Sequence, residues 1–317
     1  MRILLVKTSS LGDVVHNLPV VSDIARHFPG AEIDWVVEES IVEIPRLHPA
    51  VRRVIPVAVR RWRKTPFSAA TWREIGAFRR AIRADSYDAV LDSQGLLKSA
   101  LIAAQARGQR IGHDRDSARE PFAARFHDRG ITVPRNLHAV ERNRLLAAQA
   151  FGYSADQALD YGIVAPPFSA GWLPAGDHAV LLTATSRADK EWPEDDWRGL
   201  GMALIATGLR CILPGGSPAE RARAARLATS LGRAMAAPAM NLTELAGLLA
   251  GAKLVVGVDT GLVHLAAALG RPTLALYCGS DPALTGVLAG PQAINLGAPS
   301  APPAAGAVVA KALQLLG

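Results

Sequence analysis

Residues Leu254–His264 read LVVGVDTGLVH. A short apolar run, Leu254–Asp259, ends in the turn Asp259-Thr260-Gly261, and a helical pattern, Leu262–Leu269, follows. That is a strand, a tight turn and a helix start. The same unit recurs on both sides. Upstream lie the strand Ala179–Thr183 with the helix Trp197–Thr207, then the strand Leu209–Pro214 with the helix Ala219–Leu231, and a short helix Thr243–Ala250. Downstream is one more strand, Thr273–Tyr277. Strands alternating with helices imply parallel α/β units, in which ligands sit outside the carboxyl ends of the strands.

The first half has the same rhythm. Strand-like runs occupy Ile3–Lys7, Ile33–Val37, Val54–Val59 and Ala89–Asp92. A helix running to Phe28 and stopped by Pro29-Gly30, a helical stretch before Val54, Arg73–Ala84, and a segment ending near Ala106 alternate with them. Between the halves, Ala165-Pro166-Pro167 is followed closely by Gly171, Pro174 and Gly176, the best linker in the chain. The reading is an α/β protein of two doubly wound domains, 1–165 and 166–317, facing across a cleft. The last helix, Val308–Leu316, is compatible with packing on either domain, including back on the N-terminal one.

The 317 residues suit two domains, and half are hydrophobic against 20% charged, which indicates a globular chain. No run approaches the ~20 apolar residues of a membrane span, and the N-terminus lacks a cleavage site. Cys211 and Cys278 give no disulfide framework, so a reducing cytoplasm is the expected home. Residues 1–165 carry 24 basic and 18 acidic side chains, which places nearly all of the +7 excess in the first half. That half is expected to meet an anion: an acidic substrate, a membrane surface or nucleic acid.

Several candidates stand at strand ends. Asp259 and Thr260 suit a ribose, sugar or phosphate; Gly261 admits a ligand to the helix start, and His264 is one turn on. Thr185, Ser186 and Lys190 offer two hydroxyls and an ammonium to phosphate oxygens, although a solvated loop reads the same way. Glu220, after Gly215-Gly216-Ser217, fits ribose hydroxyls or complements its helix dipole. Asp13 follows the first strand, as a general base or as a helix cap. Arg60-Arg61-Trp62-Arg63-Lys64 packs four cations around an aromatic, with Phe67, Trp72 and Arg73 next, and suits phosphates, carboxylates or a headgroup layer. Lys98 and Arg119 are able to extend that surface. Neither GxxxxGK[ST] nor GxGxxG occurs, and no His/Cys cluster has zinc spacing. Asp114-Arg115-Asp116 has a metal-binding form but, with no clear strand before it, reads as surface.

Taken in order, MRILLVKTSSLGDVVHNLP at Met1–Pro19, VAVRRWRK at Val57–Lys64, DSQGLLKSA at Asp92–Ala100, AREP at Ala118–Pro121, HAVERNR at His138–Arg144, DKEWPEDDW at Asp189–Trp197 and VDTGLVHLAAAL at Val258–Leu269 resemble the lipopolysaccharide heptosyltransferase I family of glycosyltransferase family 9. The likeness extends from Met1 to about Pro282. It implies a GT-B fold with two Rossmann-like domains, an N-terminal acceptor domain and a C-terminal donor domain. The implied activity is inverting, metal-independent transfer from ADP-L-glycero-β-D-manno-heptose to the inner Kdo of Kdo2-lipid A, with no cofactor. It implies Asp13 as base with Lys190 assisting, and Thr185, Ser186, Lys190, Glu220, Met240, Asp259, Thr260, Gly261 and His264 around the donor. Arg60, Arg61, Arg63, Lys64, Lys98 and Arg119 are then the acceptor's anion partners, with peripheral contact to the cytoplasmic face of the inner membrane.

Two positions depart from the family pattern. Ser186 stands where relatives often carry Thr, and Tyr277–Pro282 reads YCGSDP rather than YGPTDP. The alternatives are heptosyltransferase II or another ADP-heptose transferase with a different acceptor, a non-catalytic nucleotide sensor, and a nucleic-acid-binding module. Against the last, aromatics are only 5% and no stacking motif is present.

Overall fold

The computed structural model describes residues 1–173, 175–185 and 187–317, without the side chain of Ala188. The chain divides into two compact units, Met1–Val164 and Ala165–Gly317. In the first, β1 (Arg2–Val6), β2 (Glu32–Glu38), β3 (Val51–Val57), β4 (Ser86–Asp92), β5 (Arg107–His113) and β6 (Arg129–Ile131) form a parallel sheet in the order β3-β2-β1-β4-β5-β6. In the second, β7 (His178–Leu182), β8 (Arg210–Leu213), β9 (Ala234–Ala236), β10 (Leu254–Val258), β11 (Thr273–Tyr277) and β12 (Ala293–Gly297) are again parallel, in the order β12-β11-β10-β7-β8-β9. Counted from its own first strand, the second sheet repeats the order of the first. Each is the 3-2-1-4-5-6 doubly wound arrangement, with its switch point at β1/β4 and β7/β10.

The central strands are apolar because helices cover both faces. Ile3, Leu4, Leu5 and Val6 of β1 and Leu254, Val255, Val256 and Val258 of β10 are fully buried. The strands absent from the sequence reading, β5, β6, β9 and β12, lie at or next to sheet edges and are partly exposed, so no unbroken apolar run marks them. One of them corrects an expectation: β5 runs directly into Asp114. The expected N-terminal helix is two, Leu11–Val15 and Leu18–His27. Pro19 has no N–H to give the carbonyl of Val15, which breaks the ladder there. The terminal helix, Ala305–Leu316, packs on the helix Glu194–Ala206 and on β10 of the second unit, with Val308 and Ala312 fully buried in that unit's core.

Candidate active site

In the second unit, the chain leaves β7 and β10 in opposite directions, which opens a crevice at their carboxyl ends. Thr185 Oγ1 donates to the Asp259 carbonyl (3.0 Å), closing one loop onto the other. Three side chains converge on the Asp259 carboxylate. Lys190 Nζ lies 2.5 Å from Oδ2, Ser280 Oγ donates to Oδ2 at 2.5 Å, and His264 Nε2 is 3.5 Å from Oδ1. Burial alone would raise the Asp259 pKa; hydrogen bonds from His264, Lys190 and Ser280 prevail and hold it far below the usual carboxylate range. Thr260 precedes the helix Gly261–Ala268, and its side chain makes no capping bond. The alternative of Asp259 as a plain helix cap is not what the side chain does.

The loop that carries Lys190 is pinned from below. The Trp192 indole is buried against Trp197 (centroids 5.1 Å apart, edge-on), and its N–H donates to the Pro303 carbonyl at 3.0 Å. At ~25 cal/mol per Å² and ~200 Å² of ring surface, that anchor contributes on the order of 5 kcal/mol. Arg223 donates to the Trp192 carbonyl and pairs with Glu191. From the other side Gly279 lies so close that a Cβ there would meet Asp189 Oδ2 at 2.8 Å and the Asp189 carbonyl oxygen at 2.9 Å. The divergent YCGSDP segment therefore adjoins the site, and Ser280 is a residue the sequence reading missed. Its signal was the departure itself.

Glu220 is occupied locally. Its Oε2 accepts from the N–H groups of Gly216 (2.7 Å) and Ser217 (3.1 Å), while Ser217 Oγ accepts from the Glu220 N–H, a capping box for the helix Pro218–Leu231. Met240 is half-buried in the segment after β9. The structure brings neither into the Asp259 cluster. Ser186 lies outside the described residues.

In the first unit, the crevice lies after β1 and β4. Gln94, buried, ties the two loops together: its Oε1 accepts from Thr8 N–H and Thr8 Oγ1 (both 2.7 Å), and its Nε2 donates to the Ser9 carbonyl at 2.6 Å. Beneath it Lys7 donates to the Ser93 carbonyl (2.8 Å) and to Asn143 (3.2 Å). Burial lowers the Lys7 pKa, with Asp13 and Asp92 opposing. HAVERNR caps and opens the helix Ala139–Phe151: Asn143 also donates to the His16 carbonyl, and Arg144 pairs with buried Asp23 at 2.7 Å. Asp13 accepts from Ser10 N–H (2.8 Å) and Ser10 Oγ (2.9 Å), both on Oδ2. It does cap its helix, which leaves Oδ1 for another role.

Lys98 donates to Ser9 Oγ at 2.7 Å. Burial lowers its pKa; Glu38 and Asp13 oppose this, while Arg60 and Arg119 reinforce it. Asp13, Lys98, Arg60 and Arg119 thus share one electrostatic neighbourhood. Gly95, at φ +67°, lets the β4 loop pass the Arg119 backbone, where a Cβ would come within 3.3 Å of its nitrogen. The basic block is not uniform. Glu38, Glu39, Ser40, Arg60, Arg61 and Lys64 line a cleft of about 270 Å³. Arg61 is held by Glu39 and Glu74, which raise its pKa, whereas Arg60, Arg63 and Lys64 extend into solvent.

Asp114 serves locally too: Thr132 and the Ser117 N–H donate to it. Among the described residues no group of three or more His, Cys, Asp or Glu could hold a metal ion, and no helix is long and apolar enough to cross a membrane.

Residues 75–308 match the model of glycosyltransferase family 9 (heptosyltransferase). The chain is 50% identical over 288 residues to lipopolysaccharide heptosyltransferase 1 of Escherichia coli K12, covering 90% of each. To lipopolysaccharide heptosyltransferase 2 of Salmonella typhimurium it is 26% identical, over 90% of this chain and 85% of that one. Among solved structures it is similar to the E. coli heptosyltransferase WaaC with ADP (TM-score 0.92, 46% identity, 99% and 100% of the two chains). It is also similar to WaaC with ADP-2-deoxy-2-fluoro heptose (TM-score 0.86, 44% identity, 99% and 98%). With two doubly wound units, the GT-B fold class and this degree of likeness, the chain belongs to glycosyltransferase family 9, the heptosyltransferases.

Proposed function

We propose that this glycosyltransferase moves L-glycero-D-manno-heptose from ADP-heptose to the inner Kdo of Kdo2-lipid A, with inversion and without a metal ion. The observation that carries the choice of acceptor is the contrast in identity, 50% to heptosyltransferase 1 against 26% to heptosyltransferase 2. Support for the donor comes from the solved relatives with ADP and an ADP-heptose analogue, and from the Asp259 cluster at a strand end.

The second unit holds the donor. The diphosphate lies on the helix start at Gly261, with the Thr260 hydroxyl and Thr185 beside it. Asp259 keeps the Lys190 ammonium in place, and that cation offsets the charge growing on the departing ADP, the part a metal plays elsewhere. Glu220, Met240, Ser186 and His264 complete the donor surroundings, with the second carboxylate oxygen of Glu220 available to ribose. The first unit supplies acceptor and base. Asp13 Oδ1 takes the proton of the attacking Kdo hydroxyl as the C–O bond forms at the anomeric carbon and the bond to ADP breaks on the opposite face. Arg60, Arg61, Arg63, Lys64, Lys98 and Arg119 bind the acceptor's carboxylates and phosphates. The protein works at the cytoplasmic face of the inner membrane as a peripheral enzyme.

The test is ADP release from ADP-heptose in EDTA. Release that depends on Kdo2-lipid A supports the whole reading. Release only with an already heptosylated acceptor would transfer it to the heptosyltransferase II reaction. Loss of release in EDTA, restored by Mg²⁺, would overturn metal independence, and ADP-heptose binding with no turnover on either acceptor would make the chain a sensor.

A further inference from the structure

We infer that the turn at residues 65–68, together with the first turn of the helix Ala69–Ile82, is a membrane anchor, with Phe67 and Trp72 entering the interfacial layer of an anionic lipid surface. This rests on the peripheral-membrane reading above and gives it a specific contact. Phe67 is 97% exposed and Trp72 62% exposed, beside Pro66. Such full exposure of a phenyl ring is unusual, because it forgoes the burial that normally holds aromatics inside.

The turn is built rather than loose. Thr65 and Thr71 join their hydroxyls at 2.9 Å, the Ser68 N–H donates to the Thr65 carbonyl, and the helix Ala69–Ile82 starts immediately after. Trp62, five residues before Phe67, turns the other way: it packs on Phe78 and donates to Glu74. Trp72 donates its indole N–H to the Pro66 carbonyl at 3.0 Å. Its polar atom is satisfied inside the protein, so the ring enters an apolar layer without losing a hydrogen bond. Close by in sequence are the exposed cations Arg60, Arg63, Lys64 and Arg73. Exposed apolar rings next to exposed cations complement an anionic bilayer, whose phosphates lie outside its hydrocarbon.

The test uses the full-length protein and vesicles of phosphatidylethanolamine with phosphatidylglycerol, followed by sedimentation. The F67S/W72S variant is expected to partition roughly ten- to hundredfold more weakly than the unaltered protein, the effect of losing one or two buried aromatic contacts. F67L/W72F restores most of the binding. ADP release with a water-soluble, acyl-free Kdo disaccharide stays unchanged in both variants, which shows them folded. Equal binding by F67S/W72S and the unaltered protein would overturn the anchor and leave the peripheral reading standing. No vesicle binding by the unaltered protein would overturn both. Loss of binding to a single-stranded oligonucleotide with vesicle binding intact would give the turn to nucleic acid and refute the anchor.

Discussion

Consider Lys190→Met and Asp259→Asn, singly and together. The two side chains retain only 18% and 12% of their exposure and meet at 2.5 Å. Removing one partner of a buried pair costs about 3–5 kcal/mol, because the other is left charged and unpaired. Here Ser280 and His264 still face Asp259 after Lys190 is gone, and each such bond offsets about 1 kcal/mol. Lys190→Met should therefore lower stability by about 1–3 kcal/mol. Adding Asp259→Asn removes the uncompensated charge while keeping an acceptor for Ser280, so about 1–2 kcal/mol should return as coupling energy. Urea unfolding followed by tryptophan emission reads this, since Trp192 and Trp197 lie in the core beside the loop. Turnover should behave differently. An ammonium aimed at a leaving diphosphate is worth about 10²–10³ in kcat, and Asp259→Asn supplies no substitute cation. The double variant is thus expected to regain stability but not ADP release. If ADP release recovers together with stability, Lys190 is a structural partner of Asp259 and its assignment to the leaving group is wrong.

Four further expectations concern other parts of the molecule. Asp13→Asn keeps an oxygen for the Ser10 cap but cannot take a proton; kcat should fall by about 10²–10⁴ while the ADP affinity seen by calorimetry is unchanged. Gln94→Ala removes three buried hydrogen bonds, so unfolding experiments should show a loss of about 2–3 kcal/mol, and kcat should drop more than the donor KM changes, since the turn bearing Ser9 and Ser10 loosens. Gly279→Ala forces a methyl onto Asp189 and displaces the turn before Lys190; a weaker donor KM with unchanged acceptor KM is expected, and an unchanged donor KM would refute the link. Burial lowers His48 to about 4 and His113 to about 3, from 6.5 in the unfolded chain. Their stabilisation is complete above pH 6.5 and is lost as the pH falls toward those folded values, because the unfolded chain takes up protons first. Each should contribute about 2 kcal/mol less at pH 5 than at pH 8, and His48→Gln should flatten the pH dependence of urea unfolding accordingly.

The strand ends were legible because their chemistry is local. A run such as Leu254–Val258 must be buried on both faces, and Asp259-Thr260-Gly261 must follow it whatever the rest of the chain does. The polar edge strands were not legible, since β5 reads RGQRIGH and draws its pairing from β4 and β6 rather than from its own composition. Glu220 shows the limit in a different way: the sequence allowed both ribose binding and capping, and the fold commits one of its oxygens to the cap.

By itself the sequence determined the alternation of strand and helix, the place of Asp13, Lys190 and Asp259 at strand ends, and the uneven charge, because each depends on neighbours within a few residues. Tertiary structure alone decided that Ser280 reaches Asp259 across 21 residues, that Gln94 clamps Thr8 across 86, and that Glu39 and Glu74 hold Arg61 while Phe67 and Trp72 remain in solvent. Hydrogen bonds and ion pairs act over about 3 Å, and only the register of the sheets and the seating of the helices bring such distant residues that close.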